Sequence, residues 1–235
     1  MKLATKALFV LIFTALVLVS SQINFSLLLG GPINQSFTYF QFLGPIGGVF
    51  LGPIFGAVSV LLAQVLNMAF TGNGFDIVSI ARLLPMVMAA VYFALAKDKN
   101  SNWMLLVPVL ATIAFVMHPI GAQVWYYAVI FWSIPIIAKL FFSKNLFARS
   151  LGATFTAHSV GGAIWIYAYN SGPEVWNFLL FSGTVVFERV LFALGICVSF
   201  LIMNTLLTYV EHKLPEGTIT VEKQYDLRRI ISGAK

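Results

Sequence analysis

Long apolar runs with few or no charges alternate with short polar breaks along this chain. The runs cover residues 7–29, 43–70, 77–96, 103–117, 122–141, 151–169 and 187–210. They are apolar on every side, so they fit neither amphipathic surface helices nor the alternating strands of a membrane barrel. The pattern predicts an all-α bundle in lipid, a polytopic cell-membrane protein of about six to eight transmembrane helices. The first run, 7–19, follows Lys2 and Lys6 and would suit a cleavable signal. Apolar character resumes after Ser20 and Ser21 through Ile23, Phe25 and Leu27 to Leu29, long enough to span, so an uncleaved first helix is expected.

Residues 43–70 read LGPIGGVFLGPIFGAVSVLLAQVLNMAF. Gly44, Gly48, Gly52 and Gly56 recur every fourth residue, which places them on one helical stripe where a neighbouring backbone can approach closely. The tetrapeptide LGPI occurs twice, and its second proline predicts a break near Gly52 and Pro53. One helix from Tyr39 to Phe70 would run roughly 45 Å against a hydrocarbon core of about 30 Å, so two segments are expected.

The 235 residues are 60% hydrophobic and only 9% charged, with mean hydropathy +0.92, too apolar for a water-soluble core. The net charge of +6 does not point to nucleic acid, because the cations cluster beside apolar runs: Lys2 and Lys6; Lys97 and Lys99; Lys139, Lys144 and Arg149; Lys213, Lys223, Arg228 and Arg229. The positive-inside bias makes these clusters and both termini cytoplasmic. The turns at 71–76 (TGNGFD), His118 to Gly121 and 170–177 (NSGPEVWN) then lie outside. The short apolar piece 178–186 reads as interfacial or re-entrant. Residues 1–210 form one transmembrane domain, and 211–235 form a short cytoplasmic tail, expected as an amphipathic element on the inner surface. The one cysteine, Cys197, lies within an apolar run and reads as a small buried hydrophobe, which leaves no disulfide framework.

Ionisable side chains in or near lipid are costly and so are candidates for function. Arg82, Glu188, Arg189, Asp76, Glu174 and His118 gather toward the outer side. Arg82 or Arg189 could hold an anionic group in an outward pocket, or Arg82 could form a structural pair with Glu188. Adjacent Glu188 and Arg189 are not expected to satisfy each other. The favoured pocket lies between the glycine helices, the 77–96 helix and the last two helices, with Arg82 as anchor, Trp165 and Tyr169 as walls, and Asn73 beside it. In residues 152–163 (GATFTAHSVGGA) the small residues Ala153, Ala157 and Gly161 form a second packing stripe. His158 there either contacts substrate or makes an interhelical hydrogen bond. The aromatics Phe37, Tyr39, Phe40, Trp125 to Tyr127, Trp165, Tyr167, Tyr169 and Trp176, with Asn34, Gln35, Gln41, Asn170 and Asn177, suit a membrane belt or a crown around a heteroaromatic ligand. The histidine spacing does not suit a metal site, and no GxSxG, HExxH or GxxxxGK[ST] motif occurs. No cofactor is expected, and ATP-driven transport would need another subunit to hydrolyse the nucleotide.

The run LGPIGGVFLGPIFGAVSVLLAQVLN resembles the second and third helices of the substrate-binding S components of energy-coupling factor (ECF) transporters. AHSVGGAIW at 157–165 is loosely similar to a later helix of that family. The resemblance covers about a third of the chain. It implies uptake of a vitamin-like or other small solute, with a transmembrane coupling subunit and ATPase subunits as partners. The family's first helix carries an AxxxA contact for the coupling subunit. Ala7 and Ala15 are eight apart, so the stripe Ala153, Ala157 and Gly161 stands as the docking candidate. The alternatives are a non-catalytic membrane scaffold subunit and a membrane-embedded enzyme using His158 and Glu188.

Overall fold

A computed structural model describes residues 2–24, 37–72 and 74–232. It is 81% helical, without strands among the described residues. We number the helices α1 (Lys2–Ser20), α2 (Phe40–Leu51), α3 (Pro53–Thr71), α4 (Ile77–Leu95), α5 (Asn102–Met117), α6 (Pro119–Gln123), α7 (Trp125–Phe142), α8 (Leu146–Tyr169), α9 (Pro173–Phe181), α10 (Thr184–Val210) and α11 (Leu227–Ser232). Helices α1, α3, α4, α7 and α10 are each long and apolar enough to cross a membrane, and α2 and α5 are shorter apolar helices. The fold class is therefore an all-α bundle of membrane character.

The first helix ends at Ser20, not near Leu29, and residues 25–36, with Asn34 and Gln35, lie outside the described residues. Ser20 and Ser21 donate to the Val17 and Leu18 carbonyls, closing the last turn of α1. Val10, Phe13 and Val17 are buried against the rest of the bundle. The expected break in the glycine stretch is present, although only α3 is of membrane-spanning length: α2 and α3 form a hairpin about Gly52, whose φ of +86° suits only glycine without strain. Gly52 is therefore a turn residue and not part of the packing stripe, since a side chain there would meet open space. Gly48 and Gly56 face each other across the hairpin. A methyl on Gly56 would fall on the Gly48 backbone, and one on Gly48 would fall on the Ala90 carbonyl of α4. Gly44 lies against the flexible side chain of Met86.

Helix α8 is the centre of the bundle, packed on α4, α5, α7 and α10. It carries Arg149, Ser150, Thr154, Thr156 and Ser159, all buried in protein. The four hydroxyls donate to carbonyls three or four residues back on α8 itself, which satisfies them without a partner helix. The second stripe packs at Ala153 and Ala157 but not at Gly161. Gly161 only touches Pro85 at 3.7 Å, whereas the close approaches are at Gly152, under the Tyr92 hydroxyl, and at Gly162, where a methyl would sit 2.6 Å from the Trp132 ring. Ala153 is fully buried, and Ala157 packs against the main core. The 170–177 turn is shorter than expected, because Pro173 opens α9, a position where its missing N–H costs nothing. Gly183, at φ +72°, separates α9 from α10, so the last helix begins at Thr184.

The basic clusters converge on one end of the bundle, here called the basic end. Lys139 is buried there, its Nζ 3.1 Å from the Leu95 carbonyl and 2.7 Å from that of Asp98. It caps the C-terminus of α4, where unpaired carbonyls and the helix dipole favour a cation. Lys139→Met should lower stability by about 2 kcal/mol, the scale of a hydrogen bond to a charged group, read as a thermal shift in detergent. The tail is built into this end and does not simply lie on its surface: Thr218, Ile219 and Asp226 are buried, and the Thr220 N–H donates to the Phe50 carbonyl at 2.9 Å.

Candidate functional site

The end opposite the basic clusters holds two separate polar features. The first is a cleft of about 270 Å³ where α1, α2, α3 and α4 meet. Ser21, Gln64, Asn67, Ser79 and Arg82 line it together with apolar residues that include Phe40 and Leu83. Gln64 donates to the Leu83 carbonyl at 3.0 Å, and Asn67 Oδ1 accepts from Gln22 Nε2 at 2.7 Å and from Ser21. Among the described residues the Asn67 amide nitrogen and the Gln64 amide oxygen have no hydrogen-bond partner. Arg82 is exposed and makes no hydrogen bond or ion pair among the described residues. The helix it stands on is started by Asp76, which accepts from the Val78 and Ser79 N–H groups at 2.9 and 3.0 Å.

The hydrogen bonds from Ser79, side chain first, hold the Asp76 carboxyl below its ordinary value of 3.8. A group depressed in the folded state stabilises above its unfolded value, and that contribution fades as pH falls through the folded one. The natural chain should therefore lose melting temperature between pH 5 and about pH 3, a window set by the usual carboxylate range, and Asp76→Asn should flatten that fall.

The expected pocket does not form as drawn. Trp165 and Tyr169 pack against each other with centroids 4.4 Å apart and planes tilted by 44°, and Trp165 Nε1 donates to Ser171 at 3.1 Å. Neither lines the cleft at Arg82, and the last two helices do not reach it. Asn73 lies outside the described residues. Glu188 takes Arg189 as its ion partner, not Arg82, at 3.6 Å.

The second feature is built on α7, α8 and α10. Arg189 lies in the second turn of α10 with 13% of its side chain exposed, its guanidinium over the Phe192 ring at 4.8 Å. Its Nε is buried with no hydrogen-bond partner. The contact with neighbouring Glu188 is longer than a good charge-assisted bond, so the pair is only half made, as adjacency on a helix dictates. Phe42 and Phe37 pack edge-on to Phe192, which gives the arginine an aromatic flank.

His158 lies between two other helical partners. Trp132 Nε1 donates to its Nδ1 at 3.2 Å, and its Nε2 meets the Tyr127 hydroxyl at 3.1 Å. An indole N–H can only donate, so Nδ1 is the acceptor and Nε2 carries the proton of the neutral ring. Both nitrogens are thereby occupied, and His158 shares no hydrogen bond with Glu188. The interhelical reading of His158 is the one the structure shows. Tyr127 and Trp132 were not singled out as its partners from sequence, although both lie in the aromatic run of α7. Arg149, Asn204 and Glu222 were likewise not foreseen as a group. Asn204 could have been found, as a carboxamide inside an otherwise apolar helix.

No group of three or more His, Cys, Asp or Glu side chains that could hold a metal occurs among the described residues. Cys197 is free and half-buried beside Ser150. No protein-family model, curated protein or solved structure matches the chain.

Proposed function

We propose that the chain is the membrane-embedded substrate-binding component of a small-solute uptake transporter, and that its solute carries an anionic group. The reading rests above all on Arg189. A guanidinium enclosed in a bundle of membrane character, with an orphaned Nε and a stretched ion pair, lacks the negative charge that its environment calls for. A carboxylate or phosphate on a solute would complete it by paired, charge-assisted bonds, and the Phe192 flank would accept an apolar or ring portion. Arg82, at the mouth of its own cleft on the same end, adds positive potential that draws anions there.

In this reading the chain crosses the membrane several times with its basic end in the cytoplasm. Separate ATPase subunits and a transmembrane coupling subunit supply the energy, in keeping with the S-component resemblance. Native mass spectrometry of gently purified protein tests the proposal. The natural chain should retain a small acidic solute, Arg189→Gln should remain folded and lose about tenfold or more of it, the scale of one charged hydrogen bond, and Arg82→Gln should lose less. Equal retention by Arg189→Gln and the natural chain would remove Arg189 from any site.

A further inference from the structure

The basic end holds a second buried arginine whose partner comes from the tail. Arg149, in the first turn of α8, is 1% exposed and lies over the Phe93 and Phe200 rings at 4.8 and 5.8 Å. Its Nη1 is 3.0 Å from Glu222 Oε1, its Nη2 donates to the Phe93 carbonyl at 3.4 Å, and its Nε has no partner. The other carboxylate oxygen of Glu222 takes Lys97 Nζ at 2.7 Å. Asn204 of α10 grips the same residue by its backbone, accepting from the Glu222 N–H at 2.8 Å and donating to its carbonyl at 2.9 Å. Two helices, α8 and α10, and the turn after α4 thus contribute one side chain each to hold a single carboxylate-bearing residue.

The segment that delivers Glu222 is a short strap on the bundle. Ile219 is buried, Val221 and Tyr225 pack part-buried on the core, and its hydrogen bonds include Thr220 N–H to Phe50, Leu227 N–H to Thr205 and the Tyr225 hydroxyl to the Lys144 carbonyl. Gly217, at φ +77° and two residues after Pro215, gives it a hinge. Lys97 keeps 35% of its side chain exposed, so the site opens to solvent on that side. The Glu222 carboxylate neutralises a fully buried guanidinium, so removing that charge leaves an uncompensated buried cation and loosens the strap that carries it.

We propose that Arg149, Lys97 and Asn204 form an oxyanion site that the chain's own Glu222 fills, so that residues 218–226 are a latch displaced when another carboxylate or phosphate takes Arg149. Release separates the basic ends of α2, α4, α8 and α10 from the segment that now joins them.

Hydrogen exchange read by mass spectrometry on the full-length chain in detergent tests the latch. The amides of residues 218–226 should be protected in the natural protein, and Glu222→Gln, which keeps shape and removes charge, should speed their exchange at least tenfold while the helices keep their protection. Glu222→Ala should then bind inorganic phosphate at least tenfold more tightly than the natural chain by calorimetry, and Arg149→Gln added to it should abolish that binding. Unchanged protection in Glu222→Gln, or no phosphate binding by Glu222→Ala, would overturn the proposal. Should Glu222→Gln fail to fold, Asn204→Ala serves as the second variant. It leaves the carboxylate in place but frees the backbone, so it should also speed exchange across 218–226, and protection equal to the natural chain would again overturn the latch.

Discussion

Replacing Gly48 or Gly56 with leucine should leave almost no folded protein, measured as the monodisperse fraction in size-exclusion chromatography from detergent. At each position the first added carbon lands on main chain and not on a side chain that could swing away: the Ala90 carbonyl for Gly48, and the Gly48 backbone for Gly56. Backbone cannot yield without separating α2 from α3 or α4. Overpacking a well-filled core costs about 1–3 kcal/mol even where side chains can adjust, and here nothing adjusts, so alanine alone should cost at least the upper part of that range. Val58 supplies the comparison, since it is 40% exposed on the same hairpin. Val58→Leu should match the natural yield. Equal yields for Val58→Leu and Gly56→Leu would mean that the hairpin does not close as described.

The next largest effect is expected at His158. His158→Leu removes the acceptor of the Trp132 indole and the partner of the Tyr127 hydroxyl together, leaving two polar groups stranded among Phe131, Phe155 and Trp176. Each stranded group costs about 1–3 kcal/mol in a protein interior, and interhelical bonds in lipid fall toward the lower end, so a loss of about 2–4 kcal/mol is expected. Thermal unfolding followed by tryptophan fluorescence reports it directly, because Trp132 is itself a partner. His158→Gln, which can both donate and accept, should recover part of the loss. A leucine variant as stable as the natural chain would show that the imidazole contributes no structural bond.

These two sites show what could be read before the structure and what could not. The hairpin of α2 and α3 was legible because two independent constraints agreed: a repeated proline and a stretch too long for one crossing. The glycine faces were legible only to within one residue. A shift from Gly161 to Gly162 rotates the contact by about 100° around α8, and small residues at both positions leave the choice to the partner, Trp132. The pairing of charges was not legible at all. Glu222 lies 73 residues from Arg149 and 125 from Lys97, and no periodicity relates a tail to the helices it closes. Arg82 and Arg189 were equally conspicuous in sequence. What separates them is burial, which depends on helices α7 and α8 assembling around one of them and not the other.

The position of α8 also bears on how the chain enters the membrane. This helix carries Arg149, Ser150, Thr154, Thr156 and Ser159 buried in protein, more buried polar side chains than any of α1, α3, α4, α7 or α10. At 24 residues it is long enough to cross, about 36 Å, yet exposed alone to hydrocarbon it would present an arginine and a histidine to lipid. Its neighbours α4, α5 and α7 precede it in the sequence, while α10, which covers its remaining side, is made last. During synthesis α8 therefore has a ready-made groove on one flank and none on the other. It should partition fully out of the insertion machinery only once α10 has emerged, making α10 the step that commits the whole bundle to the bilayer.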